Sequence, residues 1–414
     1  MSLPHGLRAL RHRDFRLFFT GQGISQLGTW LQLIATSWLV YRLSGSTLLL
    51  GLAAFAMQIP FLVLTPIAGV FVDRLDRRKV LLATNSIAAL QSVAMFVVVA
   101  TGMVQPWHLI AGNLVLGIVN ACDAPARQSI LIRLVGGRGD LANAIALNSI
   151  MMNGARFVGP LAGGAIIAAL GETWGFGLNT LSYAAMLAAL SRISAGGMAT
   201  APRESGLFGQ LAAGARYAYG FLPARAALLL VSAISVTVGS YVALMPWFAR
   251  EAFHGDSRTL GMLIGAAGLG AMTGMAYLAS RPGVRGLLRL IAWTATTAGA
   301  ALLVFSFSSS LGVALPALYF VGMGMMLTAA STNTVLQTIV PDELRGRVAS
   351  LYVMSFIGVS PLGALASGWV AERIGPPATL AACGAAALLA AIAYASAFPA
   401  IRRAIQPVYN GIGV

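Results

Sequence analysis

Few residues in this chain could do chemistry, and most of them interrupt apolar runs. The clearest is Arg156, in the stretch NGARFVGPLAGG at 153–164, with no acid near it in sequence. A guanidinium presents a planar fork of donors that suits an anionic or carbonyl-rich group. It can equally tie helices together through carbonyls and amides such as Gln26, and the sequence leaves both readings open. Amides in other apolar runs, Gln22, Gln26, Gln58, Asn120 and Asn148, offer paired donors and acceptors at comparable positions. Asp123 is the second charged candidate. It lies four residues before Arg127 and near a helix C-terminus, where an acid opposes the helix dipole and calls for a cation. Either Arg127 or an arginine of the 74–78 loop could supply it in a structural latch; alternatively, burial would raise its pKa and make it a proton-coupling carboxylate. Tyr241, Asn333, Tyr352 and Ser355 are the matching polar points in the second half, suited to substrate contact or to helix-helix hydrogen bonds. Catalytic patterns are missing: the sequence has no HExxH, GxSxG or GxxxxGK[ST]. Its histidines, His5, His12, His108 and His254, lie at or near loops, and Cys122 and Cys383 fall in apolar runs. No enzyme activity, cofactor, metal site, disulfide or direct nucleotide drive is expected.

The elements that must carry these residues are membrane helices. Hydrophobic residues make up 58% of the 414 and charged residues only 9%, where an ordinary soluble domain has about 25% charged residues. Apolar runs long enough to cross a hydrocarbon core of about 30 Å lie near 17–41, 48–72, 80–100, 107–126, 146–169, 174–191, 226–249, 259–280, 287–307, 311–335, 348–370 and 378–398. Backbone groups in lipid need partners within the segment, so the runs must be helices. The first run is too long for a signal-peptide core and lacks a convincing small-residue cleavage site, which makes it a retained helix. The net charge of +15 is concentrated in alternate loops, from Arg8, Arg11, Arg13 and Arg16 before the first run to Arg402 and Arg403 after the last. By the positive-inside rule both termini are cytoplasmic, and the basicity reports topology rather than nucleic-acid binding. At about 1.5 Å per residue, Arg156 lies roughly 15 Å beyond Ala146, near the midplane. Gln26 lies at similar depth and Gln22 one turn below.

The longest polar interruption, between Arg192 and Arg225, contains SAGGMATAPRESG and divides the runs six and six. The expected organisation is an N-terminal six-helix bundle over 1–195, a cytoplasmic linker over 196–222 and a C-terminal six-helix bundle over 223–414. The halves echo each other: VGPLAGG follows one basic loop and VSPLGAL another, placing Pro160 and Pro361 at equivalent depths. Repeated halves with a midplane binding site are a transporter architecture, although apolar sequences can also resemble each other by chance.

The loop GVFVDRLDRRKV closely resembles the loop signature of the major facilitator superfamily. It carries Gly69, Asp73, Arg74, Arg77 and Arg78 at that family's spacing. The resemblance implies the major facilitator fold, an all-α polytopic membrane protein of twelve transmembrane helices. It also implies that these residues form a charge latch that breaks during alternating access; a plain basic anchor is the competing account. Asp76 departs from the pattern, which usually has glycine there. In the fifth run Gly159, Pro160, Gly163 and Gly164 match the end of a motif of the antiporter branches and would shape helix bending and packing. GIVNACDAPARQS and PDELRGRVASL are similar to the branch that includes enterobactin exporters and macrolide efflux proteins. Drug and proton antiporters often carry an arginine in the fourth span, where this chain has Asn113, so their proton mechanism does not carry over directly. The family places its first, second, fourth and fifth helices around a cavity, which would join the amides above and Arg156 into one polar wall.

The expectation is a secondary transporter in a cell membrane, the bacterial inner membrane, exporting a small drug-like or siderophore-like compound. Its partners would be that substrate, protons and the lipid bilayer, and it would act as a monomer. Without a buried acid in the second half, neutral, zwitterionic or anionic substrates fit better than cations. An importer of a small anionic nutrient and a non-transporting receptor or scaffold are the alternatives.

Overall fold

The computed structural model describes residues 5–72, 75–137, 139–194, 207–281 and 283–411. Those residues form helices and connecting turns, with no strand among them, as backbone satisfaction in lipid requires. In chain order the α-helices are α1 (Arg13–Ser44), α2 (Thr47–Val72), α3 (Arg77–Ala100), α4 (Pro106–Leu134), α5 (Leu141–Leu170), α6 (Thr173–Arg192), α7 (Leu207–Gly220) and α8 (Leu222–Thr237). They continue as α9 (Tyr241–Trp247), α10 (Ser257–Ser280), α11 (Leu287–Ser306), α12 (Leu311–Ile339), α13 (Asp342–Val353), α14 (Ser360–Ile374), α15 (Pro376–Ser396) and α16 (Phe398–Gly411).

The expected apolar runs are helical over nearly all of their length, but the helices are more numerous than the runs. Ten stretches of the described residues are long and apolar enough to cross a membrane. Helices α1 and α6 are not among the ten, because Gln22, Gln26 and Gln32 dilute the first and Asn179 the second. Two runs are interrupted. Leu222–Ala252 passes from α8 to α9 and ends in a π-helical turn, Phe248–Ala252. Asp342–Ile374 breaks at a π-helical turn, Met354–Gly358, immediately before α14. Pro160 lies inside a continuous helix, whereas Pro361 opens a new one, so the two repeated prolines differ in local structure. The expected linker also holds a helix: α7, within 196–222, packs on α13.

The chain divides into two compact units. The first comprises Met1–Leu49, Ala56–Arg203 and His254–Gly265. In it α1 packs chiefly on α6 and α5, and α3 on α4 and α6. A short 3₁₀ helix, His5–Arg11, precedes α1. It is fastened to the start of α5 by Asp140, whose carboxylate meets Arg8 at 3.1 Å, Arg11 at 2.7 Å and His12 at 2.9 Å. Asn143 adds a bond from its Nδ2 to the Gly6 carbonyl at 2.8 Å and accepts the Ala9 amide at 2.9 Å. The hydrogen bonds from His12 and Arg11 hold the Asp140 carboxyl below the usual carboxylate range. An apolar cluster including Phe15, Phe18, Leu81, Ile130, Leu134 and Leu190 closes this end of the unit.

The second unit comprises Leu50–Phe55, Glu204–Phe253 and Ala266–Val414. Here α11 packs on α12 and α15, α8 on α15, and α16 on α8. Its helices approach closely through small residues: a Cβ on Gly322 of α12 would overlap the Ala267 carbonyl oxygen on α10.

Candidate functional site

The sequence placed Arg156 on α5, and the structure shows which face of that helix it occupies. Ile145, Ser149, Met152 and Arg156 recur at helical spacing and are all exposed. The same stripe continues through Pro160, Gly163 and Ile167, which are all buried. In this second half of the helix a Cβ on Gly163 would sit 3.3 Å from Leu31 Cα, and one on Gly164 would overlap the Ser257 carbonyl and fall 2.9 Å from Gly261 Cα. Ser257 also donates from Oγ to the Gly164 carbonyl at 3.1 Å. Arg156 therefore stands on a protein-packing face at the point where that face becomes uncovered. The glycines Gly159, Gly163 and Gly164 are what permit the packing; α5 runs through Pro160 without a break.

Contacts between α1 and α5 fix their register. Met151 Sδ lies 3.4 Å from where a Cβ on Gly23 would be, and Trp30 Cβ lies 2.6 Å from one on Gly159. Gln26, one turn before Trp30, is thus level with Arg156, three residues before Gly159. Gln22 and Asn148 fall progressively lower. Gln22 is buried, while Gln26 and Asn148 are half-buried. Gly117 lets α4 approach the Met57 carbonyl and Pro60 of α2, which brings half-buried Gln58 and Asn120 within about one turn of each other.

Asp123 is buried, 2% exposed. It accepts from Thr84 Oγ1 at 2.9 Å and Asn85 Nδ2 at 3.0 Å, both on α3, and pairs with Arg127 one turn along its own helix. Of the cations that the sequence offered, Arg127 is the one in contact among the described residues. Three donors thus converge on one buried carboxylate.

A second buried network has no counterpart among the residues singled out from sequence. Gln32 on α1 donates from Nε2 to Gln91 Oε1 on α3 at 3.0 Å; Asn179 on α6 donates to Gln32 Oε1 at 2.6 Å; Ser182 donates to Asn179 Oδ1 at 2.9 Å. All four are buried. The signal was present, since an amide in an apolar run needs a partner, but pairing residues 59 and 147 apart requires the fold. Gln26, Gln58, Asn120 and Asn148 stand outside this network.

In the signature loop, Gly69 belongs to the end of α2, and Asp73 and Arg74 lie outside the described residues. Asp76, the departure from the family pattern, is the N-cap of α3: its side chain accepts from the Arg78 amide at 2.9 Å and the Lys79 amide at 3.4 Å. Arg78 donates to the Leu190 and Ser191 carbonyls at 2.8 and 2.6 Å, satisfying the C-terminus of α6. Arg77 reaches the Ser129 carbonyl at 3.4 Å.

In the second unit Tyr352 donates its hydroxyl to the Ala329 carbonyl at 2.9 Å and stacks on Phe356, joining α13 to α12. Asn333, half-buried, lies one turn along α12 from that carbonyl. Tyr241 is buried at the start of α9. Ser355 falls in the π-helical turn, a feature frequent at functional sites.

A family model described as transmembrane secretion effector matches residues 5–407. The chain is 29% identical over 381 residues to the multidrug efflux pump Tap of Mycolicibacterium fortuitum, with 87% of this chain and 90% of that one covered. It is 25% identical over 411 residues to the enterobactin exporter EntS of Citrobacter koseri, with 96% and 94% covered. Its fold is similar to that of a bacterial homologue of the human lysosomal transporter Spinster, crystallised inward-facing and unoccupied. That similarity has a TM-score of 0.66 at 17% identity and covers 98% of this chain and 99% of the other.

Proposed function

We propose that this chain, which belongs to the transmembrane secretion effector family of the major facilitator superfamily, exports a small organic compound by alternating access, driven by the proton gradient. As a member of a transporter family it is not an enzyme. The proposed architecture is twelve spans in two six-helix bundles, 1–195 and 223–414, joined by 196–222. It lies in the bacterial inner membrane as a monomer with both termini cytoplasmic.

The observation that carries the reading is the position of Arg156: a mid-span guanidinium on the stripe of α5 that is packed further along and uncovered at its own level. Gln26 shares its level, and Gln22, Gln58, Asn120 and Asn148 extend the polar surface of the first unit. Tyr241, Asn333 and Tyr352 are the contributions proposed for the second. In this reading Arg156 meets an anionic or carbonyl-rich part of the substrate, and drug-like and siderophore-like molecules both offer such groups. The names of Tap and EntS support export. Gly69, Asp73, Arg74, Arg77 and Arg78 are proposed as the latch of the transport cycle, and Asp123 as the carboxylate to test for coupling.

The experiment is efflux from a strain lacking its own pumps, first screening compounds and then comparing variants at matched expression. Arg156→Ala is expected to abolish efflux and Arg156→Lys to retain part of it; wild-type efflux by Arg156→Ala would remove the arginine from the site. A second reading is uptake of a small anionic nutrient with Arg156, exposed on its stripe of α5, as counterion. Counterflow in oriented vesicles separates the two directions.

A further inference from the structure

Within the second unit, a cavity of about 370 Å³ opens where the start of α11 meets α16, lined in part by Arg285, Arg289, Arg402, Phe398 and Tyr409. Among the described residues no acid lines it and no carboxylate pairs with any of the three arginines. Their positions are built. Arg281 donates to the Arg285 carbonyl at 2.9 Å and to the Tyr277 hydroxyl at 3.0 Å, fixing the turn that carries Arg285. Arg289 lies over the Phe398 ring, 5.9 Å from its centroid. Ile401 and Ile405 are buried, 0% and 1% exposed, and anchor α16 so that Arg402 reaches the cavity. The first turn of α11 adds the positive end of a 20-residue helix. An independent observation comes from Tyr409: its hydroxyl is buried and has no hydrogen-bond partner among the described residues.

We propose that this cavity binds the phosphate of an anionic phospholipid headgroup, held by Arg285, Arg289 and Arg402 with the Tyr409 hydroxyl as a further donor. Guanidinium forks match phosphate oxygens. The site lies at the end of a membrane-length helix, Leu287–Ser306, where headgroups are found, and basic pockets between spans on the cytoplasmic side are suited to acidic lipids. The assignment rests on the chain's residence in a bilayer and is independent of its substrate.

The test is native mass spectrometry of the detergent-purified full chain with added phosphatidylglycerol, phosphatidylcholine or inorganic phosphate. Phosphatidylglycerol is expected to bind and phosphatidylcholine not. Each arginine near an anionic surface contributes about a five-fold factor. The Arg285→Gln, Arg289→Gln, Arg402→Gln triple variant should therefore bind on the order of 100-fold more weakly, while the triple lysine variant keeps most of the binding. Tyr409→Phe removes one donor without touching the charges and should weaken binding several-fold. Because the three arginines are replaced at an open cavity, a circular dichroism spectrum like the wild type's is expected of every variant. Undiminished phosphatidylglycerol binding by the triple glutamine variant, equal binding of phosphatidylcholine, or displacement of the lipid by inorganic phosphate at matched concentration would each overturn the assignment.

Discussion

Replacing Asp123 by asparagine keeps the side chain's shape and removes its charge, which isolates what the carboxylate does. In the native protein it answers two donors from α3 and the Arg127 guanidinium. The asparagine amide can accept from Thr84 or Asn85 but leaves Arg127 without its counterion. Breaking a buried ion pair on one side costs about 3–5 kcal/mol. Arg127 keeps 21% of its side-chain surface exposed, against 3% for Asp123, so the lower end, about 3 kcal/mol, applies. At about 2–4 °C per kcal/mol for a unit of this size, the unfolding midpoint should fall by roughly 6–12 °C. Adding Arg127→Gln removes the stranded charge and should restore most of the loss. The assay is thermal unfolding of the single and double variants in detergent, followed by circular dichroism, alongside proton-driven efflux by the same proteins. A midpoint for Asp123→Asn equal to wild type refutes the ion-pair reasoning. Unchanged stability with efflux no longer dependent on the proton gradient assigns Asp123 to coupling instead.

Gln32→Leu leaves Gln91 and Asn179 without their shared partner inside the first unit, and a loss of about 1–3 kcal/mol is expected; an unaltered unfolding midpoint would count against the network. Gly322→Ala places a methyl group against the Ala267 backbone and should destabilise the second unit by about 1–3 kcal/mol through overpacking, read by the same melts. Asp140 has a lowered carboxyl pKa, so its contribution is complete above the ordinary carboxylate value of about 3.9 and is lost as pH falls through the lowered folded value. Hydrogen exchange should show the backbone of residues 5–12 protected at pH 5 and released only in stronger acid, and Asp140→Asn should lose protection at every pH. Release of the wild-type segment at pH 6 would contradict this.

The apolar runs were legible because lipid leaves the backbone a single economical choice, and they are helical over nearly all of their length. Arg156 was legible for the same reason: one charge in such a run is conspicuous. Its level beside Gln26 could be reckoned from helical rise alone. What sequence did not reveal depends on partners far apart in the chain. Gln32, Gln91 and Asn179 look like isolated dilutions of three runs until α1, α3 and α6 are packed together. Asp76 looked like an irregularity in a signature and is a helix cap, decided by backbone amides two and three residues on. Arg78 looked like a loop charge and satisfies carbonyls more than 110 residues away. The π-helical turn before Pro361 was hidden because its residues, MSFIG, carry no feature that distinguishes them from a regular helix.

The attachment of the 3₁₀ helix to Asp140 has a consequence for biosynthesis. Arg11 is synthesised 129 residues before the carboxylate that receives it. At about 5–20 residues per second, Arg8 and Arg11 carry unneutralised charge for on the order of ten seconds while the first spans enter the membrane. In the orientation proposed above, they would act over that interval as signals of the positive-inside kind. When Asp140 emerges, the same guanidiniums become its ligands, so two arginines serve first the insertion of the chain and then the finished protein.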